Sequence, residues 1–277
     1  MSQRDLMKRY DIKPDRRLGQ NFLVNPDSLR KIVAAAELSP GQTVLEIGAG
    51  LGALTVLLAE QARRVITIEV DERVIQPLME QIEPFSNVEL VQGDALAIDL
   101  AALLGEEPYT VVANIPYYIT SALIRKLLEH SNPAMRLILT IQKEVADRII
   151  ARDGKMSLLS LGVQLYGAPS LAGRIPAAHF YPAPKVESAI LRIDVHSDTG
   201  LSPEETLAVF DTARAGFSQK RKQLKNSIAA GLGLSSDQAV SLLKEAHISP
   251  DRRPETVQVE EWKKLGLIWK QYQRAAA

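Results

Sequence analysis

The chain has 277 residues, of which 46% are hydrophobic and none is cysteine, and its 33 basic side chains balance 33 acidic ones. This length allows one large domain, or a large and a small one. The lack of cysteine excludes disulfides, thiolate zinc sites, iron–sulfur clusters and cysteine nucleophiles. Since no apolar run could span a membrane and Met1 to Tyr10 lacks the apolar part of a secretory signal, we expect a cytoplasmic protein.

From about Asn25 to Gln142, short apolar runs alternate with segments whose apolar residues recur at helical spacing. This alternation predicts a parallel sheet with helices on both faces. Apolar residues at every strand position predict that both sheet faces are buried. The predicted strands are 43–47, 65–68, 88–91, 110–113 and 137–141, and the predicted helices are 54–62, 72–82 and 121–129.

The alternation stops after residue 142. Residues 143–151 and 157–165 are compatible with helices, whereas 171–175 and 188–195 are predicted to form an antiparallel pair of strands. The segment 180–185, between these strands, is too rich in proline for either element.

A polar stretch at 196–201 predicts the boundary between a first domain, 1–198, and a second domain, 199–277. Directly after it, Ser202 can cap a helix to which Glu205 returns a hydrogen bond. The second domain is therefore predicted to be small and all-helical.

A glycine-rich turn follows the first strand of the predicted sheet and precedes a helix. Gly48, Gly50 and Gly52 allow positive φ angles and let a ligand touch the backbone, while the helix N-terminus offers free N–H groups. The spacing also satisfies the dinucleotide fingerprint, so this turn alone leaves a nicotinamide or flavin site open.

Three successive strands end at polar residues, Glu69, Asp94 and Asn114. In open parallel sheets the ligand binds at the carboxyl ends of the strands. Glu69 is suited to accept hydrogen bonds from ribose hydroxyls, and Asp94 from an adenine amino group. Each residue alone could be a helix cap, but the succession favours a ligand that carries a nucleoside.

The sequence Asn114-Ile115-Pro116-Tyr117 suits methylation of the exocyclic amine of adenine. The Asn114 side-chain oxygen and the Ile115 carbonyl, directed by Pro116, could accept both N–H bonds and draw the nitrogen toward tetrahedral geometry. Tyr117 offers a flat face for an extruded base. Taken alone, the tetrapeptide could also be a turn with an incidental tyrosine.

In combination these motifs resemble the rRNA adenine N6-dimethyltransferases, and within them the KsgA-type housekeeping branch. The resemblance runs from about Leu18 to Ile228 and is carried by residues 20–23, 46–52, 69, 93–95, 114–117 and 180–188. It implies a Rossmann-like class I methyltransferase sheet with S-adenosyl-L-methionine as methyl donor. It further implies dimethylation of two adjacent adenines near the 3′ end of small-subunit (16S) rRNA, during small-subunit biogenesis.

The resemblance also implies roles for individual residues. The expected cofactor contacts are Asn21, Leu23, Gly48, Gly50, Glu69, Asp94 and Asn114. Asn114, Pro116 and Tyr117 are the expected catalytic residues, and Tyr117 and Phe180 are expected to flank the flipped base.

Basic residues crowd the N-terminus between Arg4 and Arg17, and a second cluster lies between Arg214 and Lys225. Residues 215–226 resemble a second-domain helix of the family whose positive face suits RNA phosphates, although a net charge of zero argues against nucleic acid. The expected RNA-backbone contacts are Lys220, Arg221, Lys222 and Lys225. The expected partner is small-subunit rRNA, either free or in a pre-assembled small ribosomal subunit, bound by a monomer that needs neither membrane nor metal.

Three other functions stay open on the sequence. A large-subunit rRNA adenine methyltransferase that confers antibiotic resistance would share nearly every motif, but the tail of about eighty residues with Trp262 and Trp269 is longer than we expect there. A non-enzymatic ribosome-assembly factor would have no need of Asn114 or Glu69. A nicotinamide-dependent oxidoreductase would require a catalytic His–Asp or Tyr–Lys pair, which the motifs do not supply.

Overall fold

The computed structural model describes residues 2–152, 154–219 and 221–276, without the side chains of 275 and 276. Its strands are β1 (Phe22–Leu23), β2 (Thr43–Ile47), β3 (Arg64–Glu69), β4 (Val88–Gln92), β5 (Tyr109–Asn114), β6 (Arg136–Gln142), β7 (Gly167–Ile175), β8 (Phe180–Tyr181) and β9 (Ser188–Val195). Its helices are α1 (Gln3–Arg9), α2 (Pro26–Ala36), α3 (Ala53–Ala59), α4 (Glu72–Ile82), α5 (Leu100–Leu104), α6 (Thr120–Leu128), α7 (Lys143–Ile149), α8 (Leu158–Tyr166), α9 (Pro203–Phe217), α10 (Leu224–Leu232), α11 (Ser236–Glu245) and α12 (Val259–Ala276). Single 3-10 turns occur at Arg16–Leu18, Tyr117–Ile119, Ala177–His179 and Pro254–Thr256.

Seven strands form the central sheet in the order β4-β3-β2-β5-β6-β9-β7. Strands β2 to β6 are parallel, whereas β9 runs antiparallel to both β6 and β7. Helices cover both faces, so the predicted parallel sheet is confirmed. The predicted antiparallel pair is also confirmed, and the structure adds that it extends the same sheet through β6.

Strand β4 lies at the edge of this sheet and is only partly buried. Its Glu89 and Gln92 are exposed, and Glu89 forms an ion pair of 2.6 Å with Arg64 on β3. The prediction that every strand is buried on both faces is therefore wrong for β4. Since β4 has a neighbouring strand on one side only, the side chains on its faces are less covered than those of the central strands.

The strand order places the predicted site residues side by side. The chain runs outward from β2 to β4 and then returns to β5 on the other side of β2. As a result, the glycine-rich turn after β2 lies between Glu69 at the end of β3 and Asn114 at the end of β5. Such a reversal of strand order is where open α/β sheets bind their ligands.

The chain divides into two units, and the second consists of 147–166 and 196–277. The predicted first domain, 1–198, includes residues 147–166, which the structure groups with the helical unit. The physical reason is burial: Leu161 of α8 belongs to the same core cluster as Val209 of α9. The packing partners of α8 lie about fifty residues further along the chain, where sequence periodicity does not reveal them.

The helical unit begins as its capping residues predict. Ser202 accepts a hydrogen bond from the Glu205 N–H, and Glu205 accepts one from the Ser202 N–H. At the centre of the unit Trp262 is fully buried, with its ring centroid 5.4 Å from that of Phe217. Within the described ranges, no helix has the length and hydropathy needed to cross a bilayer.

Candidate functional site

Two neighbouring cavities open at the strand ends of the first unit, and they share Gln20, Gly48 and Pro116 in their linings. The residues predicted to bind cofactor or base, or to act in catalysis, all line one of the two. The first cavity contains Asn21, Leu23, Gly48, Gly50, Asn114, Pro116, Tyr117 and Phe180, and the second contains Glu69 and Asp94. The roles predicted for these residues are thus compatible with their positions.

The glycine-rich turn forms a bare wall of the first cavity. Gly48 and Gly50 have φ angles of 81° and 56°. A Cβ atom at Gly48 would lie 3.4 Å from the Asn114 carbonyl oxygen, and one at Gly50 would lie 3.2 Å from the Phe22 ring. A side chain at either position would therefore be strained, and at Gly50 it would also be crowded.

Glu69 is oriented by three backbone N–H groups. Its Oε2 accepts from Gly50 at 2.7 Å, and its Oε1 accepts from Val70 and Asp71 at 2.9 Å each. Burial raises the pKa of Glu69, while these three hydrogen bonds act in the opposite direction. A carboxylate has about four acceptor positions, so capacity for a ligand hydroxyl remains on Oε2.

The side-chain amide of Asn114 forms a hydrogen bond through its NH2 group but not through its oxygen. Its Nδ2 donates to the Asn21 carbonyl at 3.3 Å. Among the residues that the structure describes, none donates a hydrogen bond to Asn114 Oδ1 or to the Ile115 carbonyl. Both oxygen acceptors predicted for an adenine amine are therefore uncommitted.

Two aromatic side chains line the same cavity. The Tyr117 hydroxyl hydrogen-bonds with Ser188 Oγ at 2.9 Å, and burial raises the pKa of Tyr117. Phe180 is 3% exposed and lies on β8. The Tyr117 ring is thus a neutral surface whose edge is anchored by a hydrogen bond.

A segment that we call the N-terminal strap, residues 15–24, reaches both cavities. Gln20 Nε2 donates to Asp71 Oδ2 at 2.6 Å, two residues beyond Glu69. Further along the strap, β1 pairs with β8, and the Val24 N–H donates to the His179 carbonyl at 2.9 Å. The strap therefore connects the end of β3 to the strand that carries Phe180. Sequence reasoning did not identify Asp71, although it follows a strand end.

Lys126 is a second residue that sequence reasoning missed. From α6 its ammonium group donates to the carbonyls of Ala95, Leu96 and Ile98 at 2.9, 3.0 and 2.5 Å. The same turn is closed by Asp94 Oδ1, which accepts from the Leu96 N–H at 2.8 Å. Lys126 thereby holds the turn that presents Asp94. A lysine on a helix gives no sequence signal of this contact.

Glu46, on β2 beneath the glycine-rich turn, is a third missed residue. It is fully buried, and its Oε2 accepts from the hydroxyls of Thr55 and Thr67 at 2.6 and 2.7 Å. Its Oε1 has no partner among the described residues. Burial raises the pKa of Glu46 to about 7, the two hydroxyls lower it, and the charge of Glu69 raises it.

The basic cluster of the helical unit differs from the prediction. Residues 215–226 are not one helix, because α9 ends at Phe217 and α10 begins at Leu224. The Leu224 N–H donates to the Arg252 carbonyl at 2.7 Å, which holds the chain outside a continuous helix. Of the expected RNA contacts, Arg221 and Lys222 are exposed in the intervening turn, and Lys225 forms an ion pair of 2.7 Å with Asp251. Lys220 lies outside the described residues.

The sequence matches the family model described as ribosomal RNA adenine dimethylase over residues 12–266. The chain belongs to this dimethylase family. It is 44% identical over 265 residues to "Ribosomal RNA small subunit methyltransferase A" of Dehalococcoides mccartyi (strain CBDB1). The aligned region covers 95% of this chain and 91% of that relative. A relative with the same name from Lysinibacillus sphaericus (strain C3-41) is 36% identical over 94% of this chain and 92% of its own.

Solved structures agree with the dimethylase assignment. A dimethyladenosine transferase from Plasmodium falciparum superimposes with a TM-score of 0.80 at 28% identity, covering 91% of this chain and 98% of that one. The 23S rRNA methyltransferase ErmE superimposes with a TM-score of 0.73 at 27% identity, covering 91% of this chain and all of that one. The dimethylases use S-adenosylmethionine, and the chain is accordingly a methyltransferase that depends on it. The bare glycine turn fits the amino-acid part of this donor, and the anchored Glu69 carboxylate fits its ribose hydroxyls.

Glu46→Gln tests the buried carboxyl of this dimethylase. Because the pKa of Glu46 is raised from 4.5 to about 7, the folded state retains a proton that the unfolded state loses. The stabilisation that comes from the protonated Glu46 carboxyl is complete below pH 4.5 and is lost as the pH rises to about 7. We expect the unfolding free energy of the wild type to fall by roughly 3 kcal/mol more than that of the variant when the pH is raised from 4.5 to about 7. Urea titrations at a series of pH values, followed by circular dichroism, would measure this difference. Parallel pH profiles would contradict this.

Lys126→Met tests the turn that carries Asp94. Without the ammonium donor the turn loses its shape, and we expect the affinity for S-adenosylhomocysteine to fall about tenfold by calorimetry. The inosine analogue has an oxo group in place of the adenine amine, so its affinity should change much less. Arg125→Met is the matched control, since Arg125 lies beside Lys126 and pairs with Glu129 at the surface. An equal loss for both ligands would show that Lys126 does not act through Asp94.

Proposed function

We propose that this protein dimethylates N6 of two adjacent adenines near the 3′ end of small-subunit rRNA, with S-adenosylmethionine as methyl donor, during small-subunit biogenesis. The substrate is small-subunit rRNA, free or within a pre-assembled small ribosomal subunit, and the enzyme acts in the cytoplasm as a monomer without a metal ion. The observation that carries the proposal is the pair of uncommitted oxygens, Asn114 Oδ1 and the Ile115 carbonyl, in a cavity lined by Tyr117 and Phe180.

The names of the relatives support the small subunit over the large one. Proteins named for the small subunit match at up to 44% identity over nearly the whole chain, whereas the solved 23S enzyme ErmE is 27% identical. The length of the chain does not separate the two candidates, because ErmE is also matched over 91% of this chain and all of its own. A large-subunit resistance enzyme is therefore the weaker candidate.

The two acceptors address the chemical difficulty of the reaction. The lone pair of an adenine amine is delocalised into the ring, so the nitrogen is a poor nucleophile. When Asn114 Oδ1 and the Ile115 carbonyl accept its two N–H bonds, the nitrogen is drawn toward tetrahedral geometry and its lone pair becomes available. Bound S-adenosylmethionine would supply an electrophilic methyl group to this lone pair, with S-adenosylhomocysteine as the leaving group.

The hydrogen bond from Asn114 to Asn21 determines which end of the amide faces the amine. An amide whose NH2 group is bonded to a carbonyl presents its oxygen to a second ligand. No general base is required, because the nitrogen proton becomes acidic once the methyl group has been transferred. The second transfer starts from an amine with one N–H, so only one of the two acceptors is then occupied.

The aromatic residues hold the base while the acceptors align its amine. Tyr117 and Phe180 offer faces for stacking, which is sequence-tolerant, so selection of adenine falls to the two acceptors. The hydrogen bond between Tyr117 and Ser188 prevents the ring from turning away from the cavity. Positioning of this kind can supply a large part of the rate enhancement.

Asn114→Ala tests the catalytic part of the proposal. We expect the single-turnover rate on unmodified small subunits to fall about a thousandfold, because an acceptor that acts in the transition state is removed. The affinity for S-adenosylhomocysteine should weaken by less than tenfold. Asn87→Ala is the control, since Asn87 donates to the carbonyls of Ala59 and Ala62 and lines neither cavity.

The same assay separates the competing functions. Wild-type protein should label small subunits and leave large subunits unlabelled when both are offered with a radioactive donor. Labelling of large subunits would favour the resistance enzyme. Full rescue of subunit assembly by Asn114→Ala in a deletion strain would instead favour an assembly factor that has no need of methyl transfer.

A further inference from the structure

The two residues of β8 line two different depressions in the surface of the first unit, a cavity and a groove. β1 and β8 form a separate two-stranded ribbon in which Phe22 pairs with Tyr181 and Leu23 with Phe180. Since side chains alternate along a strand, neighbouring residues point to opposite faces. Phe180 is buried and lines the first cavity, whereas Tyr181 is 44% exposed and lines a groove of about 400 Å³.

Helix α1 forms the other side of this groove. Its Leu6 and Met7 are buried in a cluster with Phe22, which fixes the helix against the ribbon. Arg4 and Lys8, four residues apart and hence on one face, line the groove. The Arg4 guanidinium carbon lies 5.7 Å from the centre of the Tyr181 ring. Gln3 lines the first cavity, so the groove and the cavity are close neighbours.

The two cations of the groove are available to a ligand. Neither Arg4 nor Lys8 forms an ion pair with a residue in the described parts of the chain. Arg9 differs, since it pairs with Glu80 at 3.4 Å. The groove also contains Asp11, but Lys13 lies 3.5 Å from it and offsets its charge. The groove therefore combines an exposed aromatic ring with an excess of positive charge.

We propose that Tyr181, Arg4 and Lys8 form a subsite for the nucleotide next to the adenine that is being methylated. This inference rests on the proposed function. Consecutive nucleotides are covalently joined, so a base in the first cavity brings its neighbour to the same ribbon. There the Tyr181 ring stacks on the neighbouring base, and Arg4 and Lys8 contact the phosphodiester.

The proposed substrate makes this neighbour an adenine. Phe180 and Tyr181 are consecutive residues on opposite faces of the ribbon, and the two target adenines are consecutive nucleotides. One adenine is held on Tyr181 while the other occupies the first cavity. Because an RNA strand has a direction, the subsite serves the round in which the neighbouring adenine lies on its side of the target. Stacking on Tyr181 accepts any base, so the subsite positions the neighbouring nucleotide without restricting its identity.

The cations are tested by combining Arg4→Ala with Lys8→Ala, with Arg9→Ala as the control from the same helix. On unmodified small subunits, kcat/KM of the double variant should fall about tenfold at physiological salt. The slope of log kcat/KM against log salt should become shallower by about 1.4, the value for two contacts to a single strand. A double variant whose rate and salt slope equal those of Arg9→Ala would overturn the phosphate contact.

The aromatic ring is tested by Tyr181→Ala, with Tyr181→Phe as the control that retains stacking. We expect Tyr181→Ala to lower kcat/KM about tenfold with an unchanged salt slope. Mass spectrometry of the rRNA fragment should show subunits with only one dimethylated adenine, whereas Tyr181→Phe should complete both. Unchanged affinity for S-adenosylhomocysteine would show that the variant is folded.

The two proposals fail in different ways. If wild-type protein leaves small subunits unmethylated, the proposed function is wrong. If wild-type protein methylates both adenines and Tyr181→Ala does so equally fast and completely, the stacking role of the subsite is wrong while the proposed function stands.

Discussion

The site depends on one hydrogen bond, in which the Asn114 amide donates to the Asn21 carbonyl. Because the donor end of the amide is occupied, its oxygen is the end available to a base. The strap that provides the Asn21 carbonyl is held by Gln20 on Asp71 and by the pairing of β1 with β8. The amide orientation at the end of β5 is therefore determined by a segment that lies ninety-three residues earlier in the chain.

Two glutamates on neighbouring strands show how local donors control a buried charge. Glu69 receives three backbone N–H groups from the turns at the ends of β2 and β3. Glu46 lies within β2, where the backbone N–H groups are engaged in the sheet, and it receives only two threonine hydroxyls. Burial raises the pKa of both, and that of Glu46 reaches about 7. The carboxylate at the strand end is the one equipped to act as an acceptor.

Most of the sheet and the placement of Glu69, Asp94 and Asn114 could be read from local patterns, because these residues follow short β-branched runs. The positions of Asn21, Leu23 and Phe180 were expected only from the resemblance to the family. What could not be read depends on distant contacts. Lys126 donates hydrogen bonds to backbone carbonyls of a turn some thirty residues earlier, and α8 packs on helices beyond residue 200. The break between α9 and α10 is likewise imposed by the Arg252 carbonyl. No window of neighbouring residues contains this information.

The helical unit is built from two separate stretches of the chain, and this limits how the protein could be shortened in evolution. The polypeptide passes between the units after residues 146, 166 and 195. A stop codon near residue 198 would remove α9 to α12 but retain α8, whose Leu161 is fully buried by them in the intact protein. The shortened product would carry an uncovered apolar helix and be prone to aggregation. Loss of the helical unit therefore requires an internal deletion as well as a truncation.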